Sequence, residues 1–263
     1  MKGADRGPDA MIAASAEVEL LDLPTGTEPH RRGIETLQGI HFEGPPETLA
    51  TMVEDAVGRL LDRKRRPILL GGEHSISIGA IRAAAARIGD GFATLQIDAH
   101  GDTRDSYRGS ACNHACVMAR AREVGGIVQV GIRSMDRSEL DRMDPERVFT
   151  AERIRESDRR CDDAWMDEAI SRLPEHVYLT VDLDAFDPAV MPATGTPEPG
   201  GLDWRTVDEF IRRVAAARTV VAADVVELLP HPAHWACDFL AAKLVHRIVA
   251  ELLSDRGDQA SST

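Results

Sequence analysis

Short runs of apolar residues alternate along the chain with longer segments in which apolar positions recur every three or four residues. Such runs are typical of buried strands, and the longer periodic segments are typical of amphipathic helices. The pattern predicts strands at 67–70, 92–97, 127–131, 177–181 and 220–226. It predicts helices at 48–63, 75–88, 115–124, 162–173, 207–217 and 239–253. This alternation indicates an α/β fold with a mostly parallel sheet covered by helices on both faces.

The remaining segments lack a clear periodicity. Residues 23–46 are rich in Gly, Pro, Thr, His and Glu, so we predict loops there. The two ends, residues 1–15 and 254–263, are expected to fray, as chain ends commonly do. A chain of 263 residues suits one large α/β domain, and we expect residues 1–263 to form it.

Acidic residues outnumber basic ones, with 44 Asp plus Glu against 31 Lys plus Arg and a formal net charge of −13. A chain of this charge is a poor partner for phosphate backbones and anionic membranes, so we expect no nucleic-acid or membrane partner. No stretch approaches the roughly 18 consecutive apolar residues of a membrane span, and the N-terminus lacks a signal-peptide pattern. We therefore expect a cytoplasmic protein, whose acidity suits a cationic small molecule.

Polar residues follow three of the predicted strands, at the carboxyl ends where open parallel sheets bind ligands. They are His74 after strand 67–70, Asp98, His100 and Asp102 after strand 92–97, and Asp182 and Asp184 after strand 177–181. Alternate residues of an extended chain share one face, so each group can converge on one point. Taken alone, an Asp-x-Asp pair is typical of a solvated surface, and a histidine beside a glycine turn is typical of a helix entry.

The combination favours a metal site. Four carboxylates close together repel each other unless protons or cations compensate their charge. No run of lysine or arginine follows these strands, and divalent cations would supply the missing charge. Carboxylates with imidazoles suit manganese, iron or zinc. Six protein ligands are too many for one open catalytic ion, but they suit two ions that share carboxylates and activate a water molecule.

These segments resemble the ureohydrolase family, which includes arginase and agmatinase. The resemblance covers most of the chain and is carried by five segments, namely Gly-Gly-Glu-His-Ser at 71–75, Asp-Ala-His-Gly-Asp at 98–102, Thr-Val-Asp-Leu-Asp-Ala-Phe-Asp-Pro at 180–188, the loop at 194–201 and Asp-Val-Val-Glu at 224–227. It implies an arginase-like fold, a three-layer α/β/α sandwich with a mostly parallel central sheet.

The resemblance also implies two manganese ions. One ion would be held by His74, Asp98, Asp102 and Asp182. The other would be held by Asp98, His100, Asp182 and Asp184. A hydroxide that bridges the ions would attack the guanidinium carbon and release urea and an amine. Family members form trimers or hexamers, so a homo-oligomer is expected.

Further roles follow from the same resemblance. His114 matches the histidine that passes a proton to the leaving amine, although a polar residue that starts a helix after Asn113 would look the same. Glu227 matches the acid that pairs with the guanidinium, and its alternative is a strand-end acid bound to a neighbouring helix. Asp102 joins His114 and Glu227 in the catalytic set. Thr194 and Gly195 belong to the substrate-side loop, which a plain structural loop would also resemble.

The segment before His114 bears on the substrate. Its Arg-Asp-x-Tyr-x-Gly pattern resembles prokaryotic agmatinase, which makes agmatine the first expected substrate. An exposed Arg104 or Arg108 would instead favour a carboxylate such as 4-guanidinobutyrate, unless Arg104 is paired with Asp105. A biosynthetic guanidine, formimidoylglutamate and a non-catalytic homologue remain alternatives.

The N-terminal segment departs from the family pattern. Family members usually begin with a strand that precedes the segment resembling 3–12, and this sequence begins inside that region. The start is misassigned or truncated, or the protein does without the family's first strand. The fold is therefore expected to lack that strand, which would leave a neighbouring strand edge unpaired.

Overall fold

Six strands form one sheet in the computed structural model, which describes residues 3–160 and 162–254. The strands are β1 Ile68–Leu70, β2 Phe92–Ile97, β3 Gly126–Ile132, β4 Val148–Thr150, β5 His176–Asp182 and β6 Thr219–Val226. Their order across the sheet is β1-β6-β5-β2-β3-β4, and every neighbouring pair is parallel. The five predicted strands are confirmed, and β4 was missed because three residues carry too little pattern.

Nine α-helices lie in the described part of the chain. They are α1 Gly7–Ser15, α2 Pro46–Asp62, α3 Ile76–Ile88, α4 Val117–Arg122, α5 Arg137–Leu140, α6 Ala151–Asp158, α7 Ala164–Ser171, α8 Trp204–Ala217 and α9 Trp235–Leu253. All six predicted helices are confirmed, and α9 begins four residues earlier than predicted. Residues 23–46 contain one short 3-10 helix, Pro29–Arg32, within an otherwise irregular segment.

The core lies in two layers, one on each face of the sheet. On one face, residues of α1, α7, α8 and α9 pack against the strands, with Phe210 and Trp165 among the largest side chains. On the other face, α2, α3 and α4 cover the strands. Helices α2 and α3 approach closely at Gly79, where a Cβ atom would lie 2.1 Å from the carbonyl oxygen of Ala50. This is the expected three-layer α/β/α sandwich, with a fully parallel sheet within the described residues.

The prediction that residues 1–15 fray is wrong for most of that segment. Gly7–Ser15 forms α1, which packs against α9, and Met11 and Ala14 are buried there. The helix was missed because its alanine-rich sequence has only a weak amphipathic pattern, and its order depends on a helix more than 200 residues later. At the other end, Ser254 follows α9, and residues 255–263 lie outside the described part of the chain.

Strand β1 lies at one edge of the sheet, and β6 is its one neighbour among the described strands. The other edge of β1 has no strand partner among the described residues. Searched over the described residues, the helices include none that is long and apolar enough to cross a membrane.

Candidate metal centre

Strand order and register bring the predicted ligands together. Strands β1, β6, β5 and β2 are consecutive in the sheet, and the segments after their carboxyl ends meet at one edge. Ile97 of β2 pairs with Val181 of β5, so Asp98 and Asp182 follow side by side. Asp182 in turn pairs with Val226 of β6, which places the next residue, Glu227, at the same edge.

The first ligand group surrounds the imidazole of His74. Its Nδ1 lies 3.2 Å from Asp98 Oδ2, 3.1 Å from Asp102 Oδ2 and 3.4 Å from Asp182 Oδ2. All four side chains are at least nine-tenths buried. His74, Asp98 and Asp102 offer ligand atoms close enough together to hold one ion.

The second group shares Asp98 with the first. His100 Nδ1 lies 3.0 Å from Asp184 Oδ2 and 3.6 Å from Asp98 Oδ1, and these three residues could also hold an ion. Asp182 stands between the groups, because its Oδ1 accepts a hydrogen bond of 2.9 Å from the backbone N–H of Asp184. The structure therefore brings all six predicted ligands together, and Asp98 belongs to both groups.

The protonation of His74 shows how well these residues fit a cation. The Thr180 hydroxyl donates to Asp224 Oδ1 at 2.6 Å, so it accepts from His74 Nε2, which lies 2.9 Å away. Nε2 therefore carries a proton, and in the neutral ring the lone pair of Nδ1 faces carboxylate oxygens. Nδ1 is buried and has no hydrogen-bond partner among the described residues. Burial lowers the pKa of His74, but the adjacent carboxylates of Asp102 and Asp98 outweigh it and raise that pKa well above its usual value, so without a metal ion a proton on Nδ1 supplies the positive charge. Metal-ligating histidines commonly have this arrangement, with the other ring nitrogen donating to an acceptor.

The pKa shifts also indicate a shortage of positive charge. Burial, together with the negative charge of Asp98, raises the pKa of Asp102 to about 6. Burial and the charges of Asp184 and Asp98 raise the pKa of Asp182 well above its usual value. Burial lowers the pKa of His100, but hydrogen bonds with Asp184 and Asp98 outweigh it and raise that pKa to about 11. The group takes up protons when no metal ion compensates its charge.

Two buried glutamines support Asp98 and were missed in the sequence. Gln96 Nε2 donates to Asp98 Oδ2 at 2.7 Å. Gln129 Nε2 donates to Gln96 Oε1 at 2.6 Å and to the carbonyl oxygen of Gly101 at 2.8 Å. The signal was present, because each glutamine is a polar residue inside an otherwise apolar predicted strand, and a buried amide needs partners.

Glu139 holds the segment that follows Asp102 and was also missed. Its Oε1 accepts from the backbone N–H of Thr103 at 2.8 Å and from the Thr103 hydroxyl at 3.1 Å. Its Oε2 accepts from the backbone N–H of Asp136 at 2.7 Å and completes the capping box of α5. These bonds hold Asp102 in a left-handed conformation, with φ of 51°, which a non-glycine residue adopts only under constraint.

Arg133 ties the second group to the loop at 194–201. Its guanidinium donates to the carbonyl oxygens of Asp184 at 2.7 Å and Glu198 at 2.8 Å. The Thr196 hydroxyl in the same loop donates to Asp184 Oδ2 at 3.3 Å. The predicted substrate-side loop therefore contacts a predicted metal ligand directly.

Thr194 and Gly195 lie at the start of that loop. Thr194 is buried, and its hydroxyl has no hydrogen-bond partner among the described residues, while Gly195 is half-buried. The carbonyl oxygen of Ala193 accepts from the backbone N–H of Leu229 at 2.8 Å. This bond joins the loop to the segment that follows Glu227.

Glu227 lies directly beside the first group. Its Oε1 accepts from the backbone N–H of His74 at 2.8 Å, and its own N–H donates to the carbonyl oxygen of Gly72 at 2.9 Å. Its backbone is left-handed, with φ of 65°. Burial raises the pKa of Glu227 to about 7. Glu227 therefore contacts the backbone of His74, a predicted metal ligand, and not a neighbouring helix as in the alternative interpretation.

His114 reaches the site through Glu73. The imidazole Nδ1 and Glu73 Oε1 form a short hydrogen-bonded ion pair, which raises the pKa of His114. His114 begins a 3-10 helix, His114–Cys116, and the Asn113 side chain does not cap it. Glu73 lies in the Gly-Gly-Glu-His-Ser segment, and its pairing with His114 was not predicted.

Tyr107 covers the other side of His114, with ring centroids 5.6 Å apart. The guanidinium carbons of Arg104 and Arg108 lie 4.9 Å and 5.1 Å from the centre of the tyrosine ring. Arg104 Nε lies 3.5 Å from Glu139 Oε2, so Arg104 pairs with that residue and not with Asp105. Arg108 is exposed and has no ion-pair partner among the described residues.

Comparisons with known proteins agree over nearly the whole chain. A model of the arginase family matches residues 1–250. The chain is 35% identical to the N(1)-aminopropylagmatine ureohydrolase of Synechocystis sp., over 94% of this chain and 83% of that protein. It is 34% identical to the agmatinase of Pyrococcus horikoshii, over 76% of this chain and 71% of that protein. The crystal structure of the agmatine ureohydrolase of Thermoplasma volcanium superposes with a TM-score of 0.85 and 33% identity, covering 95% of this chain and 84% of that one.

Proposed function

Because the chain belongs to the arginase family, we propose that it is a two-manganese amidinohydrolase that cleaves agmatine, or a close relative of agmatine, to urea and an amine. The observation that carries the proposal is the pair of carboxylate–imidazole groups that share Asp98. Two further contacts support it, because Glu227 binds the backbone of His74 and His114 binds Glu73, next to His74, and these two residues would supply a carboxylate partner and a proton donor for a guanidine.

We assign the ligands as the sequence suggested. His74, Asp98, Asp102 and Asp182 would hold one ion, and Asp98, His100, Asp182 and Asp184 would hold the other. Two bound divalent ions supply an activated water at neutral pH and neutralise charge that develops in the reaction. Manganese is proposed because the donors are carboxylates and imidazoles, with no thiolate among them.

The chain's own residues bind the substrate and move a proton. Glu227 has one carboxylate oxygen committed to His74 N–H, and its other oxygen is available to a guanidinium N–H. A planar guanidinium gains directional, charge-assisted hydrogen bonds from such a carboxylate. His114 donates a proton to the amine nitrogen as the C–N bond breaks, which an imidazole can do near neutral pH. Thr194 and Gly195 would form the substrate side of the loop at 194–201, whose Thr196 hydroxyl contacts Asp184.

Agmatine is the first candidate substrate, and the related proteins named for agmatine and N(1)-aminopropylagmatine support it. A second candidate is 4-guanidinobutyrate, which one observation favours. Arg108 is exposed, has no ion-pair partner among the described residues and stands over Tyr107, next to His114. An arginine in that position suits a carboxylate at the far end of a guanidine.

Urea release by the manganese-loaded protein tests the proposal. Agmatine, N(1)-aminopropylagmatine, 4-guanidinobutyrate, 3-guanidinopropionate and arginine form the substrate panel, with formamide measured from formimidoylglutamate. We expect urea from agmatine at the highest kcat/KM. No urea from any guanidine would overturn the proposal, and formamide release would redirect it. Arg108→Glu separates the two candidates, because it lowers kcat/KM for 4-guanidinobutyrate and not for agmatine.

A homo-oligomer, a trimer or hexamer, remains a prediction from the family, as do a single domain over residues 1–263 and a cytoplasmic location. Light scattering of the purified protein measures the oligomeric state directly.

A further inference from the structure

Glu73 makes a contact that the proposed reaction does not yet use. Its Oε1 is bound to His114 Nδ1, and its Oε2 accepts a hydrogen bond of 2.7 Å from the Ser75 hydroxyl. We infer that Glu73 positions His114 for proton transfer to the leaving amine, an inference that rests on the proposed function.

The backbone around Glu73 is held on both sides. The carbonyl oxygen of Gly72, before it, accepts from Glu227 N–H at 2.9 Å. The N–H of His74, after it, donates to Glu227 Oε1 at 2.8 Å. Glu73 therefore sits on a short segment fixed to the substrate-side carboxylate, and the Ser75 hydroxyl holds one of its own oxygens. A residue fixed in this way can set the position of a partner that comes from a distant loop.

The imidazole of His114 is held at two places. Glu73 binds Nδ1, and the ring of Tyr107 packs beside it at a tilt of 60°. Tyr107 is itself held in a tight hairpin, because its backbone N–H and carbonyl oxygen both bond with Ser110, at 2.8 Å and 3.1 Å. Among the described residues, Nδ1 is the ring nitrogen with a hydrogen-bond partner, so Nε2 is the one available to a substrate.

A carboxylate is only an acceptor, so its bond to Nδ1 fixes a proton on that nitrogen. The second proton of the imidazolium is then on Nε2. When the C–N bond breaks, the electron pair goes to the leaving nitrogen, which takes the Nε2 proton and departs as an amine. The ring becomes neutral with Nδ1–H still bound to Glu73, and solvent returns a proton to Nε2. Glu73 gains and loses nothing in this step, so it is a positioning residue.

Glu73→Gln in the manganese-loaded protein tests the inference. We expect kcat for agmatine to fall by about 10- to 100-fold, part of what positioned proton transfer contributes. KM should change by less than about threefold, because Glu73 does not hold the substrate, and the manganese content should stay the same. Glutamine has no negative charge and its amide can donate to Nδ1 as well as accept from it, whereas Glu73→Asp retains an acceptor-only carboxylate and should recover part of the loss.

Glu47→Gln is the matched control. Glu47 of α2 is also an exposed glutamate that accepts from a serine hydroxyl. Its partner is Ser110, at 2.6 Å, which lies in the loop that carries Tyr107. It does not contact His114, so this variant should keep the kcat of the unmodified protein.

Three outcomes would overturn the inference. A higher KM at unchanged kcat would make Glu73 a substrate contact, and a parallel loss of manganese would make it a support of the metal site. Unchanged kinetics in Glu73→Gln would leave it without a role. If the unmodified protein cleaves no guanidine, the proposed function fails separately. A crystal structure of metal-loaded Glu73→Ala tests the positioning role without kinetics. The His114 ring should turn away from its present orientation, and an unchanged ring would contradict the inference.

Discussion

Two largely buried clusters of acids can be compared in this molecule. One is the metal centre, where four aspartates meet two histidines. The other, the Arg247 cluster, joins Arg247 of α9 to Asp22, Asp208 and Glu251. Both remove carboxylates from water, which is unfavourable unless their charge is compensated.

The Arg247 cluster supplies its own cation. The guanidinium donates to Asp22 Oδ2 at 2.5 Å, Asp208 Oδ1 at 2.7 Å and Glu251 Oε1 at 2.5 Å. Burial opposes ionisation of Asp22, but hydrogen bonds from Thr25 and Arg247 outweigh it and lower the pKa of Asp22. A protein side chain therefore compensates the charge of this cluster, although Asp22 Oδ1 has no hydrogen-bond partner among the described residues. The cluster ties the loop that carries Asp22 to α8 and α9.

The candidate metal centre contains no arginine or lysine among its predicted ligands. Three of its four aspartates, Asp102, Asp182 and Asp184, have raised pKa values, whereas the pKa of Asp22 in the Arg247 cluster is lowered. In the fourth, burial raises the pKa of Asp98, but hydrogen bonds with the two histidines outweigh it and lower that pKa. The difference teaches which buried acids are structural. Carboxylates that share a protein cation have their charge compensated within the folded chain, whereas carboxylates without one could hold a bound cation.

The largest expected effect is on the candidate metal centre. Asp182→Asn removes a carboxylate that faces His74 and supports Asp184, so urea formation should be abolished and bound manganese should fall. Metal analysis of the purified variant measures this directly. An unchanged manganese stoichiometry would refute the ligand assignment.

Arg247→Met tests the role of the Arg247 cluster in stability. The substitution leaves three acids without their cation, and loss of one partner of a buried ion pair costs about 3–5 kcal/mol of unfolding free energy. Urea denaturation measures the loss. The control is Arg213→Met, because Arg213 pairs with more exposed acids, whose loss costs about 1 kcal/mol or less. Equal losses in the two variants would contradict the comparison.

The pH dependence of the metal-free protein sharpens the comparison. The folded-state pKa of Asp102 is about 6, above its unfolded value, so its stabilising contribution is present at low pH and is lost as pH rises through 6. The raised pKa of His100, about 11, gives a contribution that is lost as pH rises above about 6.5. The metal-free protein should therefore lose stability from pH 4 upward, by roughly 3 kcal/mol for Asp102 alone. Thermal unfolding with and without manganese at pH 5 and pH 8 tests this, and metal should stabilise more at pH 8.

The smallest effect concerns the support of His74. Thr180→Val removes the acceptor of the His74 Nε2 proton and should weaken manganese binding by about 10- to 100-fold. Val is similar in volume, so the fold should persist. Titration of the metal-free variant with manganese measures the affinity. Thr94→Val in β2 is the control, because this buried threonine has no side-chain hydrogen bond among the described residues and does not contact a ligand.

Much of the fold and site could be predicted because the signals are local. The strand and helix assignments came from periodicity, and the ligands came from acids and histidines at alternate positions after strands. Helix α1 and strand β4 were not predicted, because they are short and depend on distant partners. The supporting roles of Gln96, Gln129 and Glu139 were not predicted, because the hydrogen-bonding partners of a ligand have no fixed spacing in the sequence.

The sequence by itself determined which residues could bind metal, since an i, i+2 spacing after a strand already places side chains on one face. Tertiary structure decided which of them meet. The order β1-β6-β5-β2 sets Glu227 beside His74, although 153 residues separate them, and the loop after β2 brings His114 to Glu73. Arg247 reaches Asp22 across 225 residues. Contacts of this range depend on strand order and helix packing, which local periodicity does not contain.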